Sequence, residues 1–506
     1  MSSDFRAMIN RFIKCMVMGS FPLIFAFLTC AFYHRSISDI YIPNSLWNDE
    51  FFYYKLVEGT LKYGIPQGYF GYNDNHALCL SFGTWNPVIL LPWIIWGKLV
   101  GWNYLAPIIF NISILSITLI GITIGLKLEW KQIITILISL FGYFHFIRYT
   151  LSCMPEVLFW VLGIIVVSLF VSYSQNQKQH KLIIAAIIVF YMVLSRPYFV
   201  ILYFYIFCQI CEKKIRKALL SVVAILNVLL YFLMTHFLSA PYFTQTITLN
   251  IFSADSIINI IYAFKSCIHM CIECIIKGHG AGGQYIGFFL IIFLNSLLLV
   301  EIFENRNNKY KMLMLQYVIA ALSFYLSVIS FYGLEQGGRH TSVFVITGII
   351  LFALVNNNKR FLLVYLVTVT ITFSFTYYYR HNTIFDYQLP FYNEELSCQL
   401  EELSLRLDNV MELSDEGTPN YDNTIIWVFS DNVDGIDTRI DFRQFYAVPD
   451  GFGINLCLNT FVLENMESIK SKYIGTVPNG DIDKKLNDLG KDVVARNDNI
   501  IIYQLY

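Results

Sequence analysis

The sequence predicts a polytopic α-helical membrane protein of about 11 spans, ending in a small extracytoplasmic α/β domain. Three observations predict it. Hydrophobic residues make up 56% of the 506 and charged residues 14%, against roughly 45–50% and 25% in soluble proteins. Apolar runs long enough to cross a bilayer recur along the first three quarters of the chain. The net charge of −1 is a sum of opposite halves: residues 1–379 carry 25 Lys+Arg and 14 Asp+Glu, residues 380–506 carry 10 and 22. A basic, apolar body is thus fused to an acidic, ordinarily polar tail. This composition excludes a secreted protein, a disordered chain and a nucleic-acid binder.

A hydrocarbon core of about 30 Å needs roughly 20 apolar residues per helix. Such runs lie near 12–33, 104–126, 132–149, 156–174, 181–195, 197–211, 218–238, 284–303, 311–331, 341–356 and 360–379. Arg196-Pro197 divides the fifth from the sixth, and an arginine and a proline between apolar runs favour a tight turn over one kinked helix. The first run follows a basic N-terminus as in a signal peptide, but it is long and has no small-x-small cleavage site, so it is expected to be retained.

Basic residues in short loops set the orientation. With the N-terminus cytoplasmic, the inner loops hold Arg6, Arg11, Lys14; Lys127, Lys131; Lys178, Lys181; Lys213, Lys214, Arg216, Lys217; Arg306, Lys309, Lys311; and Lys359, Arg360. Those are 16 in short segments, against nine spread over far more outer chain before residue 380. The arrangement requires 85–101, with two prolines and three tryptophans, to lie in the outer interface. A multi-pass protein of the cell membrane follows. Its membrane-embedded domain is 1–379 with outer loops 34–103 and 239–283, and its outer acidic domain is 380–506. In that domain 394–411 has helical spacing, and 425–429, 473–477, 493–495 and 500–503 read as strands.

The cysteines carry little chemistry. Cys208-x-x-Cys211 ends a span, where packing outweighs a redox role. Cys267, Cys271 and Cys274 fall on one helical stripe and His269 off it, which does not suit zinc. The sequence indicates no cofactor and leaves a divalent metal open. Cys398 and Cys457 share the outer domain and have the option of pairing. The run Gly278–Gly283 lacks the Lys-Ser/Thr and the preceding strand of a P-loop and reads as a hinge.

The informative charges sit at outer span ends, where ionisable groups are costly and usually functional. Asp49-Glu50 is an acidic pair within the aromatic stretch 45–54, where desolvation would make a carboxylate a better base. Glu156 follows Arg148 and Pro155, and Arg196-Pro197 and Arg339-His340 mark two further outer turns. Taken singly, each is also readable as interfacial charge. As a set they suit one chemistry. Nucleotide sugars and ATP are absent outside the cytoplasm, so an activated group must arrive on a lipid, and a sugar on polyprenyl phosphate fits. Its leaving group needs charge stabilisation, which arginine supplies by forked hydrogen bonds. The incoming hydroxyl needs a base, and one displacement inverts the anomeric carbon.

These residues resemble those of the GT-C membrane glycosyltransferases, particularly the protein O-mannosyltransferase and aminoarabinose-transferase branch, over about residues 5–380. The parts are a first span, then Asp49-Glu50 with Tyr53-Tyr54; an interfacial Asn86-Pro87 segment ending at Gly101-Trp102-Asn103; Glu156 with Arg148 before it; Arg196-Pro197; and Arg339-His340 opening a late span. The resemblance implies a GT-C-like fold, a polyprenyl-phosphate-sugar donor, a glycan, lipid or protein acceptor, a cavity at the outer face and Asp49 as general base, with Glu50 in support. Donor-phosphate and substrate contacts fall to Arg148, Glu156, Arg196, Arg339 and His340, and Glu156 is the reserve base or a partner for Arg148. One departure is Trp85-Asn86-Pro87-Val88, where relatives often carry a basic residue before Pro-Pro; it moves the phosphate contacts toward Arg196 and Arg339.

Three other readings compete. A lipid-linked-saccharide flippase or transporter would place ionisable groups within its spans and often shows inverted repeats. A polysaccharide polymerase or ligase would use arginines in a large late outer loop, and 239–283 has two Lys and no Arg. A non-enzymatic scaffold leaves Asp49-Glu50 unexplained.

Overall fold

The computed structural model describes residues 3–32, 34–41, 48–64, 70–73, 87–143, 146, 149–210, 214–238, 282–305, 309–355, 362, 366, 392–412 and 423–506. The Cys267–Cys274 run, most of loop 239–283 and nearly all of the expected last span lie outside these residues.

The chain opens with α1 (Ser3–Phe32), followed by α2 (Asn48–Tyr63), β1 (Phe70–Tyr72) and α3 (Leu91–Val100). Helices α4 (Ala106–Leu126), α5 (Trp130–Phe141), α6 (Glu156–Asn176), α7 (Gln179–Ser195), α8 (Tyr203–Gln209), α9 (Lys214–Leu238), α10 (Gly282–Glu304) and α11 (Lys311–Val355) complete the apolar body. Among the described residues four stretches, Asp4–Ala31, Ala106–Leu126, Glu156–Asn176 and Lys214–Leu238, are long and apolar enough to cross a membrane. The expected fourth, fifth and seventh spans match α6, α7 and α9 closely. The third ends early, at a Gly142 cap. The segment around 85–101 forms a 3₁₀ turn and the ten-residue α3, about 15 Å long and too short to span.

Two reversals are decisive. Asn227 Nδ2 donates to both Phe190 O (3.1 Å) and Tyr203 Oη (3.2 Å), so the chain turns back at Arg196-Pro197. Helix α11 has 45 residues and would be about 68 Å long if straight. Yet the Tyr317 hydroxyl donates to Phe344 O, and the Phe324 and Phe344 rings lie 4.4 Å apart. The helix therefore doubles back between Tyr325 and His340, giving two apolar arms, Lys311–Tyr325 and His340–Val355. The second arm packs on α6 at Gly163, where an added Cβ would sit 2.7 Å from Thr347 Cγ2.

Of the basic clusters, those the structure describes gather at one end of the bundle. Lys14 Nζ donates to Leu128 O at 2.7 Å, Arg11 Nη2 to Ile124 O at 3.4 Å, and Gln175 Nε2 to Tyr310 Oη at 2.9 Å. At the other end sits the C-terminal domain: α12 (Glu394–Asp408), β2 (Thr424–Val428), β3 (Ser430–Val433), β4 (Ile436–Arg439), β5 (Gly453–Cys457), α13 (Asn459–Asn465), β6 (Tyr473–Thr476), α14 (Asp481–Asp488), β7 (Asp492–Arg496) and β8 (Ile501–Gln504). Its sheet has the order β1-β5-β2-β6-β8-β7. The first four strands run parallel, β8 pairs antiparallel with β6, and β7 pairs antiparallel with β8. Strand β1 belongs to the first loop and is the edge of this sheet, so loop and tail are one folded unit. Cys457 is buried in the sheet, Cys398 is exposed on α12, and no disulfide joins them.

Candidate functional site

The first turn of α2 carries Asp49 and Glu50, where carboxylates meet the positive end of the helix dipole. Asp49 is half-buried and Glu50 is 1% exposed. Glu50 Oε2 accepts from the Cys153 backbone N–H at 3.4 Å, tying α2 to the turn that precedes α6. That turn is pinned from α4. Asn111, buried within an apolar helix, donates through Nδ2 to Ser152 O at 2.8 Å, with the Tyr149 and Thr150 carbonyls at 3.3 Å. Burial, and after it the Glu50 charge, pushes the Cys153 thiol and the Tyr446 phenol well above their usual ranges.

Pro155 starts α6, so Glu156 is its first residue. Pro197 holds Arg196 extended at φ −148° and ψ 113°, as a residue before proline prefers, and this ends α7 with the guanidinium directed into the bundle. Arg196 Nη2 meets Glu156 Oε1 at 3.1 Å. Nη1 lies 3.1 Å from Tyr198 Oη and 3.0 Å from His340 Nδ1, and the guanidinium covers the Phe159 ring at 4.7 Å. All three charged or ionisable partners are nearly inaccessible: Glu156 1%, Arg196 2% and His340 1% exposed. Arginine only donates, so His340 Nδ1 accepts and its ring proton sits on Nε2. Trp160 Nε1 donates to Ser342 Oγ at 2.8 Å, which fixes the arm carrying His340. Glu156 Oε2 is buried without a hydrogen-bond partner among the described residues.

Three of the expected outer turns thus meet in one buried cluster. The sequence reading offered Arg148 as a partner for Glu156; the described partner is Arg196, and Arg148 lies outside the described residues. Arg339 is on the helical backbone immediately before His340. Tyr198, Asn111, Ser342 and Tyr446 went unnoticed in the sequence. Asn111 had a readable signal, an amide inside an apolar span.

The C-terminal domain closes over α2. Phe445 stacks on Phe51 at 4.6 Å and lies 4.3 Å from Trp427, and Tyr446 meets Tyr54 at 5.4 Å. Three solved structures resemble the whole arrangement. ArnT from Cupriavidus metallidurans in the apo state matches over 96% of each chain at 11% identity, with a TM-score of 0.51. The chain has the fold of ArnT.

The same protein bound to undecaprenyl phosphate matches at 10% identity and 0.49 over 96% of each chain. The apo oligosaccharyltransferase of Archaeoglobus fulgidus matches at 10% and 0.49, over 92% of this chain and 69% of that one. The fold assignment rests on the 0.51 match. ArnT is a GT-C glycosyltransferase, so the resemblance drawn from the motifs holds at the level of fold. No family model and no curated protein matches the sequence.

Proposed function

We propose that the chain transfers a sugar, with inversion, from a polyprenyl-phosphate-linked donor to a hydroxyl of a glycan, lipid or protein acceptor at the outer face of the membrane. The observation that carries this reading is the buried Glu156–Arg196–His340 cluster, joined through the Cys153 turn to the Asp49-Glu50 helix. A second support is the ArnT fold, ArnT itself having been seen with undecaprenyl phosphate.

In the proposed reaction Asp49 takes the proton of the acceptor hydroxyl as its oxygen bonds to the anomeric carbon. The bond from that carbon to the phosphate oxygen breaks, and polyprenyl phosphate leaves with the electron pair. Its charge is met by Arg339 and by the Arg196–His340 pair, with Arg148 in reserve. Glu50 holds the start of α2 in place, and Glu156 both fixes Arg196 and offers Oε2 to the acceptor. The leaving group is already activated, so the scheme uses no cofactor. The test is to incubate the full chain in bilayers with radiolabelled polyprenyl-phosphate sugars. Label leaving the lipid for a second molecule, with inverted configuration, is the expected result; donors that stay intact with every acceptor fraction overturn the proposal.

A further inference from the structure

Helix α2 is bound at two ends of its length. Near its start Glu50 reaches the Cys153 amide, and about 12 Å further along, at 1.5 Å per residue, lies a second cluster that the transfer scheme does not use. Phe51, Tyr54, Lys55, Glu58 and Lys62 recur at helical spacing and form the stripe that faces the C-terminal domain. Into this stripe comes Asp450, from the turn before β5. Lys55 Nζ sits 2.7 Å from Glu58 Oε2 and 3.9 Å from Asp450 Oδ1, and Lys62 Nζ is 3.7 Å from Asp450 Oδ2. The Tyr54 hydroxyl donates to Glu58 Oε1 at 3.2 Å, and Tyr63 donates to the Asp450 carbonyl at 3.3 Å. Asp450 Oδ1 is buried without a hydrogen-bond partner among the described residues, and Lys55 stands between the two carboxyls.

We propose that Asp450 is a positioning residue: reaching from the C-terminal domain into the Lys55–Glu58 pair, it clamps α2 and so sets where Asp49 and Glu50 stand. The inference rests on the assignment of those two acids to the transfer reaction. Two carboxyls around one lysine are a costly way to hold two surfaces together, since apolar side chains would do so without desolvating charge. It adds a hold that depends on one proton.

Burial, then the nearby Glu58 carboxylate, pushes Asp450 up to about 7. Burial also acts on Glu58, but the Lys55 charge and the hydrogen bonds from Lys55 and Tyr54 outweigh it and hold Glu58 below its usual range. Lys55 and Lys62 are held above theirs, as are the Tyr54 and Tyr104 phenols. Between pH 5 and 7 the lysines and Glu58 therefore stay charged, the phenols stay neutral, and Asp450 alone titrates. Its carboxyl is protonated in the clamp and ionised when α2 is released, where its pKa is about 4. Clamping takes up a proton, so the hold weakens as pH rises through this window and levels off above about 7. The limit is tenfold per pH unit, or about 100-fold from pH 5 to 7.

Hydrogen exchange of the α2 amides 51–62, on the full chain in lipid nanodiscs, reads the clamp without any assay of transfer. Protection factors should fall by tenfold or more between pH 5 and 7 and stay level to pH 8. Asp450→Asn, which keeps the shape of the side chain and cannot titrate, should remove that pH dependence. Asp450→Ala should lower protection at pH 5 at least tenfold and lower kcat with KM for donor little changed. Wild-type pH dependence in Asp450→Asn overturns the clamp; lost protection with unchanged kcat in Asp450→Ala overturns its role in positioning. If no chain transfers sugar while protection behaves as stated, the reaction scheme fails and the clamp stands.

Discussion

Replacing Glu156 by Gln keeps the shape of the side chain and removes the charge that meets the buried Arg196 guanidinium. The oxygen and nitrogen are 3.1 Å apart and both residues are at most 2% exposed. At an effective dielectric of about 20 their attraction is about 5 kcal/mol. Breaking a buried pair from one side costs about 3–5 kcal/mol. The glutamine oxygen still accepts from Nη2, so about 3 kcal/mol is expected for Glu156→Gln, and about 4 kcal/mol for Arg196→Met, which strands the carboxylate. The double variant removes both members of this pair. It should be more stable than the sum of the two losses by at least about 2 kcal/mol, a coupling typical of contacting charged groups. Equilibrium unfolding in mixed micelles titrated with a denaturing detergent measures all four chains. A Glu156→Gln chain within about 0.5 kcal/mol of wild type, or additive losses in the double variant, would refute the claim that this pair holds α6 to α7.

Three further expectations can be checked separately. Arg196→Lys keeps the charge but cannot reach Glu156, Tyr198 and His340 together, so turnover should fall well over tenfold; near-normal turnover would reduce Arg196 to a structural cation. Gly163→Val drives a branched side chain into Thr347 and Val343 and should destabilise by about 1–3 kcal/mol, read by thermal unfolding in detergent; wild-type stability would mean the second arm of α11 is not seated on α6. In a cysteine-free background, impermeant thiol reagent outside intact cells should label Leu489→Cys, which replaces an exposed residue, and not Lys178→Cys. The reverse pattern would invert the topology and remove the outer-face chemistry with it.

The span positions and the charged cluster were readable because each depends on local signals: apolar length, a proline, an acid or arginine where lipid tolerates few. Glu156, Arg196 and His340 could be nominated one by one from span ends. Their partnership could not, since 40 and 144 residues separate Arg196 from its two partners and only the two chain reversals bring them together. The third span was drawn too long because the apolar run continues past Gly142, whereas the helix is capped there. In the outer domain four of the strands were found. The edge strand β1 was missed because it has three residues in a polar, glycine-containing loop, and its partner β5 because Asn455 interrupts its apolar run. The β3–β4 hairpin did leave a signal, Asp434-Gly435, whose φ values of 50° and 89° are those a two-residue turn demands. The Lys55–Glu58 pair is legible as a helical i, i+3 contact. Its third member, Asp450, lies almost 400 residues away and appears only in the fold.

The central claim is that Asp49 accepts the proton of the incoming hydroxyl, and single-turnover transfer by Asp49→Asn tests it most directly. The full chain in bilayers is loaded with a radiolabelled polyprenyl-phosphate sugar, donor affinity is measured first, and the rate of label transfer is then followed at saturating acceptor. Donor affinity should stay within about twofold of wild type while the transfer rate drops by about 10²–10⁴-fold, the usual contribution of a general base. Full transfer by Asp49→Asn, together with its abolition in Glu156→Gln, would contradict the assignment and move the base to Glu156.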